Sequence, residues 1–421
     1  AAEAERIADV PTTNPEAYRL YLQGRDYAGR PERTRQTFEA ARVQFERAVA
    51  LDPEFALARA ALSQAYGQLH WFRFDPTPRA ATRQLEEAEA ALRLDPDLPQ
   101  AHLAMGLAHY YGRLEFRKAL AEFTIARDAL PGDAWTWWWW SMIQRRLGNW
   151  PDHLAGLEQV RRLEPRQARA WLEGGITNAH LRRYSAAVKD LDRALELSPD
   201  LHEARFGRGI TFLLWLGRVD SLRAALDALP GHAELGGWGT VEAQRVRLWI
   251  LERRADSLLH YVARNPASIF ESQRFLEPVA LYAGWAHRWR GEGAAADSAL
   301  RAALTSLDSI LRVLPDDPRV HAARGLALAG LGRAGEARAE TRWIEESVTY
   351  REDAVLGAVI GEIRAQILAR LGDVDGAVRE LQRLLAAPSV VTVHSLRLDP
   401  IWDPIRAHPR FLALLAAQES P

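Results

Sequence analysis

The sequence is short of several residue types, and each shortage removes a class of chemistry. There is no cysteine, which excludes disulfides, thiolate metal sites and cysteine nucleophiles together. Lysine occurs only at Lys118 and Lys189, so nearly all positive charge is carried by arginine, as a GC-rich genome would give. Asparagine is limited to Asn14, Asn149, Asn178 and Asn265, and there are two methionines. That shortage of labile residues fits either a thermophilic source or codon bias alone. A surplus of one charge is also absent: 54 basic and 55 acidic residues are interleaved, for a formal net charge of -1. Neither nucleic acid nor an anionic membrane is therefore expected as a partner. No apolar run approaches the roughly 18 residues needed to span a bilayer, so no membrane insertion of this chain is expected.

Catalytic signatures are thin. No G-x-S-x-G elbow or Walker loop occurs, and the twelve histidines are scattered singly. His102 and His109 share a helix face without the i, i+4 spacing of a zinc-binding H-E-x-x-H helix. Acidic residues sit beside arginines on helix faces, as in "EFRKALAEF", which is ordinary surface pairing. The chain is read as non-enzymatic, with no catalytic residue, cofactor or metal assigned. It begins "AAEAERIADV" without an initiator methionine, so either a leader or anchor was removed or the sequence is part of something longer.

What the sequence does have is a repeat. Pro131, Pro165 and Pro199 fall 34 residues apart, closing "RDALP", "RRLEP" and "LELSP". Counting back from Pro199 as position 32, a large residue stands at position 4 (Trp171) and small ones at 8, 20 and 27 (Gly175, Ala187, Ala194), with Leu191 at 24. Ala119, Phe123, Ala126 and Pro131 fit the same frame, as do Ala41, Phe45, Ala48 and Pro53, and partly Ala88, Ala91 and Pro96. Small residues at 8, 20 and 27 let two helices of a hairpin approach closely. The proline ends the second helix because it cannot donate the helical N–H. This is the period and pattern of the tetratricopeptide repeat (TPR). The expected fold is all-α: a right-handed superhelical solenoid of about ten helix hairpins between Asn14 and Ala387, with a C-terminal capping segment. The domain reading is an N-terminal extension at 1–13, a regular array at 14–230, irregular helical repeats at 231–318, hairpins again at 319–387, and a cap or docking segment at 388–421. "PGHAELGGWG" reads as a long loop and Gly293 to Leu314 as one overlong helix.

The two ends carry a narrower resemblance. "TTNPEAYRLYLQGRDY" with "ARVQFERAVALDPEFALARAALSQAY" resembles the opening of the repeat arm of bacterial receptor-type serine/threonine kinases, adenylate cyclases and winged-helix regulators, and "LRLDPIWDPIRAHPRFLALL" resembles its close. No kinase glycine-rich loop, H-R-D or D-F-G triplet is present, so the resemblance implies only the arm. It also implies an extracytoplasmic location, periplasmic or secreted, because that arm lies beyond a membrane helix.

"DAWTWWWWSM" puts five tryptophans on one helix, and successive residues turn by about 100°. With Ala134 as position 1, Trp137 and Trp140 face the partner helix, Trp139 faces the preceding hairpin, and Trp135 and Trp138 face the concave groove. The groove positions 2, 5, 9, 12 and 13 give, over four repeats, Leu103, Leu107, Tyr110, Tyr111, Trp135, Trp138, Met142, Arg145, Arg146, Leu172, Ile176, Phe206, Ile210 and Leu213 among their residues. An uncovered apolar strip of that length calls for a cover. The cover is a bound protein or peptide, another copy of the chain, or the solenoid's own tight winding. Arg145 and Arg146 beside the tryptophans suit cation–π contacts or a partner carboxylate. Leu398, Ile401, Trp402, Ile405 and Phe411 in the tail form a poor solvent-facing cap and are read as a docking segment. The expected function is a protein-binding scaffold, with self-assembly into a homo-oligomer, ring or filament through that segment. The sensor arm of a bacterial signalling receptor and an enzyme with an unrecognised site are the alternatives.

Overall fold

In a computed structural model of the chain, the described residues are 11–417 except 31–33, 73 and 76. The proposed extension at 1–13 therefore lies largely outside them. The chain separates into two compact units, Ala1–Pro165 and Arg166–Pro421.

The first unit holds four helix hairpins among its described residues. They are α1 (Pro15–Ala28) with α2 (Arg35–Leu51), α3 (Ala56–Trp71) with α4 (Pro78–Leu94), α5 (Pro99–Arg113) with α6 (Phe116–Ala129), and α7 (Ala134–Arg146) with α8 (Trp150–Leu163). Side-chain caps fix several starts. Asn14 accepts from the amides of Glu16 and Ala17, Thr34 and Thr37 form a reciprocal capping box, and Asp133 accepts from Thr136 N. Each helix packs on its hairpin partner, and within the unit successive hairpins pack on one another, as a solenoid requires.

The second unit continues with α9 (Ala168–His180) and α10 (Tyr184–Leu197), then α11 (His202–Leu216) and α12 (Val219–Asp227), then α13 (Val241–Leu251) and α14 (Ala255–Arg264). A two-stranded antiparallel ribbon follows, β1 (Ile269–Glu271) against β2 (Leu276–Pro278), with Ile269 opposite Pro278. Three more hairpins are α15 (Val279–Trp289) with α16 (Gly293–Leu311), α17 (Pro318–Gly330) with α18 (Ala334–Glu346), and, after the short α19 (Val348–Glu352), α20 (Leu356–Arg370) with α21 (Val374–Ala386). The tail holds α22 (Val393–Leu398), a 3₁₀ turn at Pro400–Trp402 and α23 (Pro409–Ala417).

The all-α solenoid and its ten hairpins are thus as the repeat implies. The long loop contains a 3₁₀ turn, Gly236–Trp238, and a bridge between Glu234 and Thr240. The overlong helix ends at Leu311, three residues before the expected Leu314. The ribbon was not legible: three-residue strands are too short to display a period of two. It is fixed from outside, by Arg319 donating to the carbonyl of Ser272 and pairing with Glu271.

Packing explains the small positions. A Cβ on Gly175 (position 8) would lie 2.6 Å from Leu191 Cγ (position 24), closer than real carbon contacts allow. Turns between the two helices of a hairpin recur with one residue in the left-handed region. Glycine fills it at 148, 217, 291, 332 and 372, whereas Leu114, Arg182 and Arg253 adopt φ of 54°, 59° and 54° there. A non-glycine residue in that region costs roughly 1 kcal/mol.

Candidate functional site

The tryptophan helix, α7, is the first part of the site. Trp140 is buried and meets Trp137 edge-on at 5.7 Å, and the Arg127 guanidinium lies 4.5 and 5.1 Å from the two ring centres. Trp137 Nε1 donates to the Pro131 carbonyl at 2.9 Å. Trp139 turns toward the preceding hairpin, 5.6 Å from Tyr111 and 6.4 Å from Phe123. Trp135 packs edge-on against Trp139 at 5.3 Å yet remains 36% exposed, and Trp138 is half-buried.

The rest of the strip is less open than the sequence suggests. In the first unit Leu103, Leu107, Tyr110, Tyr111, Met142 and Arg146 are buried, and Arg145 is half-buried. Trp71, from the end of α3, stacks on Tyr111 at 4.4 Å and covers part of the strip from within the unit. Arg146 does not reach out for a ligand; its Nε donates to Tyr110 Oη at 2.9 Å. In the second unit Leu172, Ile176, Phe206 and Leu213 are buried and Ile210 half-buried. The chain itself supplies their cover: Trp238 from the long loop meets Phe206 at 5.4 Å, and Leu398 from the tail packs into the same cluster.

The tail is likewise engaged with its own chain. Trp402, Ile405 and Phe411 are buried and Ile401 is half-buried against α20 and α21, with Trp402 stacked on Phe411 at 6.3 Å. Of the five tail residues read as a docking segment, Ile401, Trp402, Ile405 and Phe411 therefore close the last hairpin, and Leu398 reaches α11. This corrects the expectation that they form an uncovered face. Apolar side chains at an array's end are stable when the segment folds back, which a repeat pattern cannot display.

Beside Leu398 lies an ionic cluster. Arg247 pairs with Glu277 at 2.9 Å and sits 3.9 Å from the Phe275 ring centre, while Tyr282 Oη donates to Glu277. Arg370 donates to the Ile401 carbonyl at 3.0 Å and lies 4.1 Å from the Trp285 ring, and burial lowers its pKa to about 10. Burial, then the charge of Asp399, raises Glu362 to about 7, with Arg247 opposing. Asp399 is raised by burial too, but its carboxylate caps the Ile401 amide at 2.9 Å. Clustered, perturbed carboxylates are what a hidden enzyme site would show, yet Asp399 is committed to holding the tail. Among the described residues, no three metal-ligating side chains come together.

A second pair escaped the sequence reading. Ser141 Oγ lies 2.8 Å from His153 Nδ1, a spacing that suits a nucleophile and its base. Both residues are fully buried, so no substrate reaches them. His153 occupies position 20, where the repeat wants a small residue, and burial, then the charge of Arg145, lowers its pKa to about 3. The register could have flagged it, because a histidine at that position must insert between two helices. The register could also have flagged Arg182 and Arg253, which stand where sister repeats carry glycine and which both bond the tail.

A family model for the tetratricopeptide repeat matches residues 142–208. Over that stretch the chain carries tetratricopeptide repeats. No curated protein matches it. Similar solved structures include a thermophilic TPR protein of Thermus thermophilus, 17% identical over 47% of this chain and 99% of that one, with a TM-score of 0.39. YrrB, described as a TPR protein with an unusual peptide-binding site, is 18% identical over 44% and 89%, with a TM-score of 0.33. PilW, described as a widely conserved type IV pilus biogenesis factor, is 16% identical over 51% and 92%, with a TM-score of 0.41. None of these likenesses bears on the narrower one of the two chain ends to receptor-kinase, cyclase and regulator arms. On α7 Trp135 is exposed, and Trp137, Trp138, Trp139 and Arg145 are half-buried.

Proposed function

We propose that this TPR protein is a non-enzymatic scaffold that binds a protein or peptide partner on the face of α7 around Trp135 and Trp138. The observation that supports this reading is Trp135 itself, a large ring held at the surface by a rigid aromatic neighbour. Preorganised tryptophans lose little entropy on binding and dominate the energetics of protein interfaces. The buried remainder of the strip serves as the support that fixes the ring rather than as contact surface. Replacing Trp135 and Trp138 together by alanine and measuring partner capture from native extract tests the proposal. Partner capture is expected to drop by about tenfold or more, as for removal of an interface anchor. Capture equal to that of the unaltered protein would sink this face as the site.

A further inference from the structure

The tail has two sides with different chemistry. Toward α20 and α21 it is mainly apolar: Val391, Leu396, Trp402, Ile405 and Phe411 are all buried there, with Arg370 of α20 also donating to the Ile401 carbonyl. Toward the first three hairpins of the second unit it is mostly polar and touches each at the turn between its two helices. At the first turn Arg182 donates to the carbonyls of Ala387 (3.0 Å), Leu384 (3.2 Å) and Val391 (3.3 Å), and Ser389 N donates to the His180 carbonyl at 3.2 Å. At the second, the His394 ring lies over Gly217, where a Cβ would stand 3.2 Å from Nδ1. At the third, Arg253 grips Asp403 with two parallel bonds of 2.7 and 2.8 Å. The apolar exception is Leu398, half-buried in the cluster around Phe206 and Leu213.

The turns themselves mark this contact as something beyond general packing. Five sister turns place glycine in the left-handed position, but the first and third of these three place arginine there and bear the strain. Strain that a sister repeat avoids persists where the side chain has another task. Here the task is holding the tail. Because Leu384 and Ala387 end the last hairpin while Arg182 lies in the first, these bonds also close the unit's six hairpins on themselves.

We propose that segment 388–406 is a releasable strap: fixed to the last hairpin by its apolar side, it detaches from the first three hairpins along the polar side. Detachment lifts Leu398 and uncovers the apolar face of α11, so that the unit switches between a closed and an open form. What binds the open form depends on the scaffold reading above, whereas the opening itself needs no partner and is tested without one.

The test is hydrogen exchange on the full-length chain carrying Arg182→Gly with Arg253→Gly. Glycine relieves the strain in both turns and keeps the hairpins, as in the sister repeats, while removing the guanidinium grips. Amides of 389–406 are expected to lose protection by at least roughly tenfold, since several charge-assisted bonds go. Those of α9 to α14, α20 and α21 stay protected. Leu114→Gly, which relieves the same strain away from the tail, leaves the tail unchanged, and Asp403→Asn gives a smaller loss in the same segment. Unchanged tail protection in the double variant would overturn the strap, and so would simultaneous loss of protection in α9 to α14, which would make the tail an inseparable part of their core.

Discussion

His153 sets a pH dependence that can be worked out from one side chain. Its folded-state pKa, about 3, lies below the ordinary 6.5 because the buried ring cannot take a proton without losing solvation. The unfolded chain therefore binds a proton that the folded chain does not. The associated stability is complete above pH 6.5 and is lost as pH falls toward 3, at up to about 1.4 kcal/mol per pH unit. His153→Ala keeps the bond from Ser141 Oγ to the residue 153 carbonyl and restores the small residue the repeat prefers. Urea melts from pH 7.5 to 4.5 should show a shallower acid loss in this variant than in the parent; equal slopes would mean the ring is not buried in its neutral form. Gly175 offers a steric counterpart. Gly175→Val is expected to cost about 1–3 kcal/mol, as overpacking does, read as a lower urea midpoint with unchanged slope.

On the scale of single helices, the 34-residue register oriented α7 in part. It assigned Trp139 to the preceding hairpin, where it lies, and Trp140 to the partner helix, where its ring lies beside Gly156 of α8; Trp137, assigned to the partner helix, is held by Arg127 and the Pro131 carbonyl of the preceding hairpin. Burial along the strip did not follow from that, since a position's direction says nothing about what approaches from elsewhere in the chain. Trp71 on Tyr111 and Trp238 on Phe206 come from other elements and close over the surface. Trp139 and Trp135 should consequently separate in mutagenesis. Trp139→Ala, which removes a half-buried ring packed on Tyr111 and Phe123, should cost about 1–3 kcal/mol of stability, and Trp135→Ala no more than about 1 kcal/mol. Thermal or urea melts of the two variants check this, and equal losses would contradict the placement.

For the molecule as a whole, the engaged tail changes the expectation for assembly. A filament built by docking one chain's tail on the next was reasonable for an uncovered apolar end, but Trp402, Ile405 and Phe411 are occupied at home. Light scattering of the intact chain should give a mass that does not rise with concentration; growth that disappears when these residues are polar would restore tail-driven assembly. Glu362 gives a second whole-unit readout, opposite in sign to His153. Its folded pKa, about 7, is raised by burial and by Asp399 on the tail, with Arg247 from α13 opposing. The associated stability is complete below the unfolded value near 4.5 and is lost as pH rises through 7. Glu362→Gln should therefore raise the second unit's melting temperature at pH 8 and leave it little changed at pH 4.5.

The sequence by itself determined the hairpin, its period and the direction of most positions, because prolines, glycines and small residues act through neighbours one or two turns away. That local grammar yields the all-α solenoid, and even the strained turns at Arg182 and Arg253 are visible once the register is set. Only the tertiary structure decided which apolar faces stay open. Residues 398 and 206, or 182 and 387, are far apart along the chain and carry no shared pattern; they meet because the hairpins of the second unit stack so that its tail reaches the first three of them. Cover supplied across some 200 residues is a property of accumulated geometry, to which each repeat contributes a small rotation that no single repeat encodes.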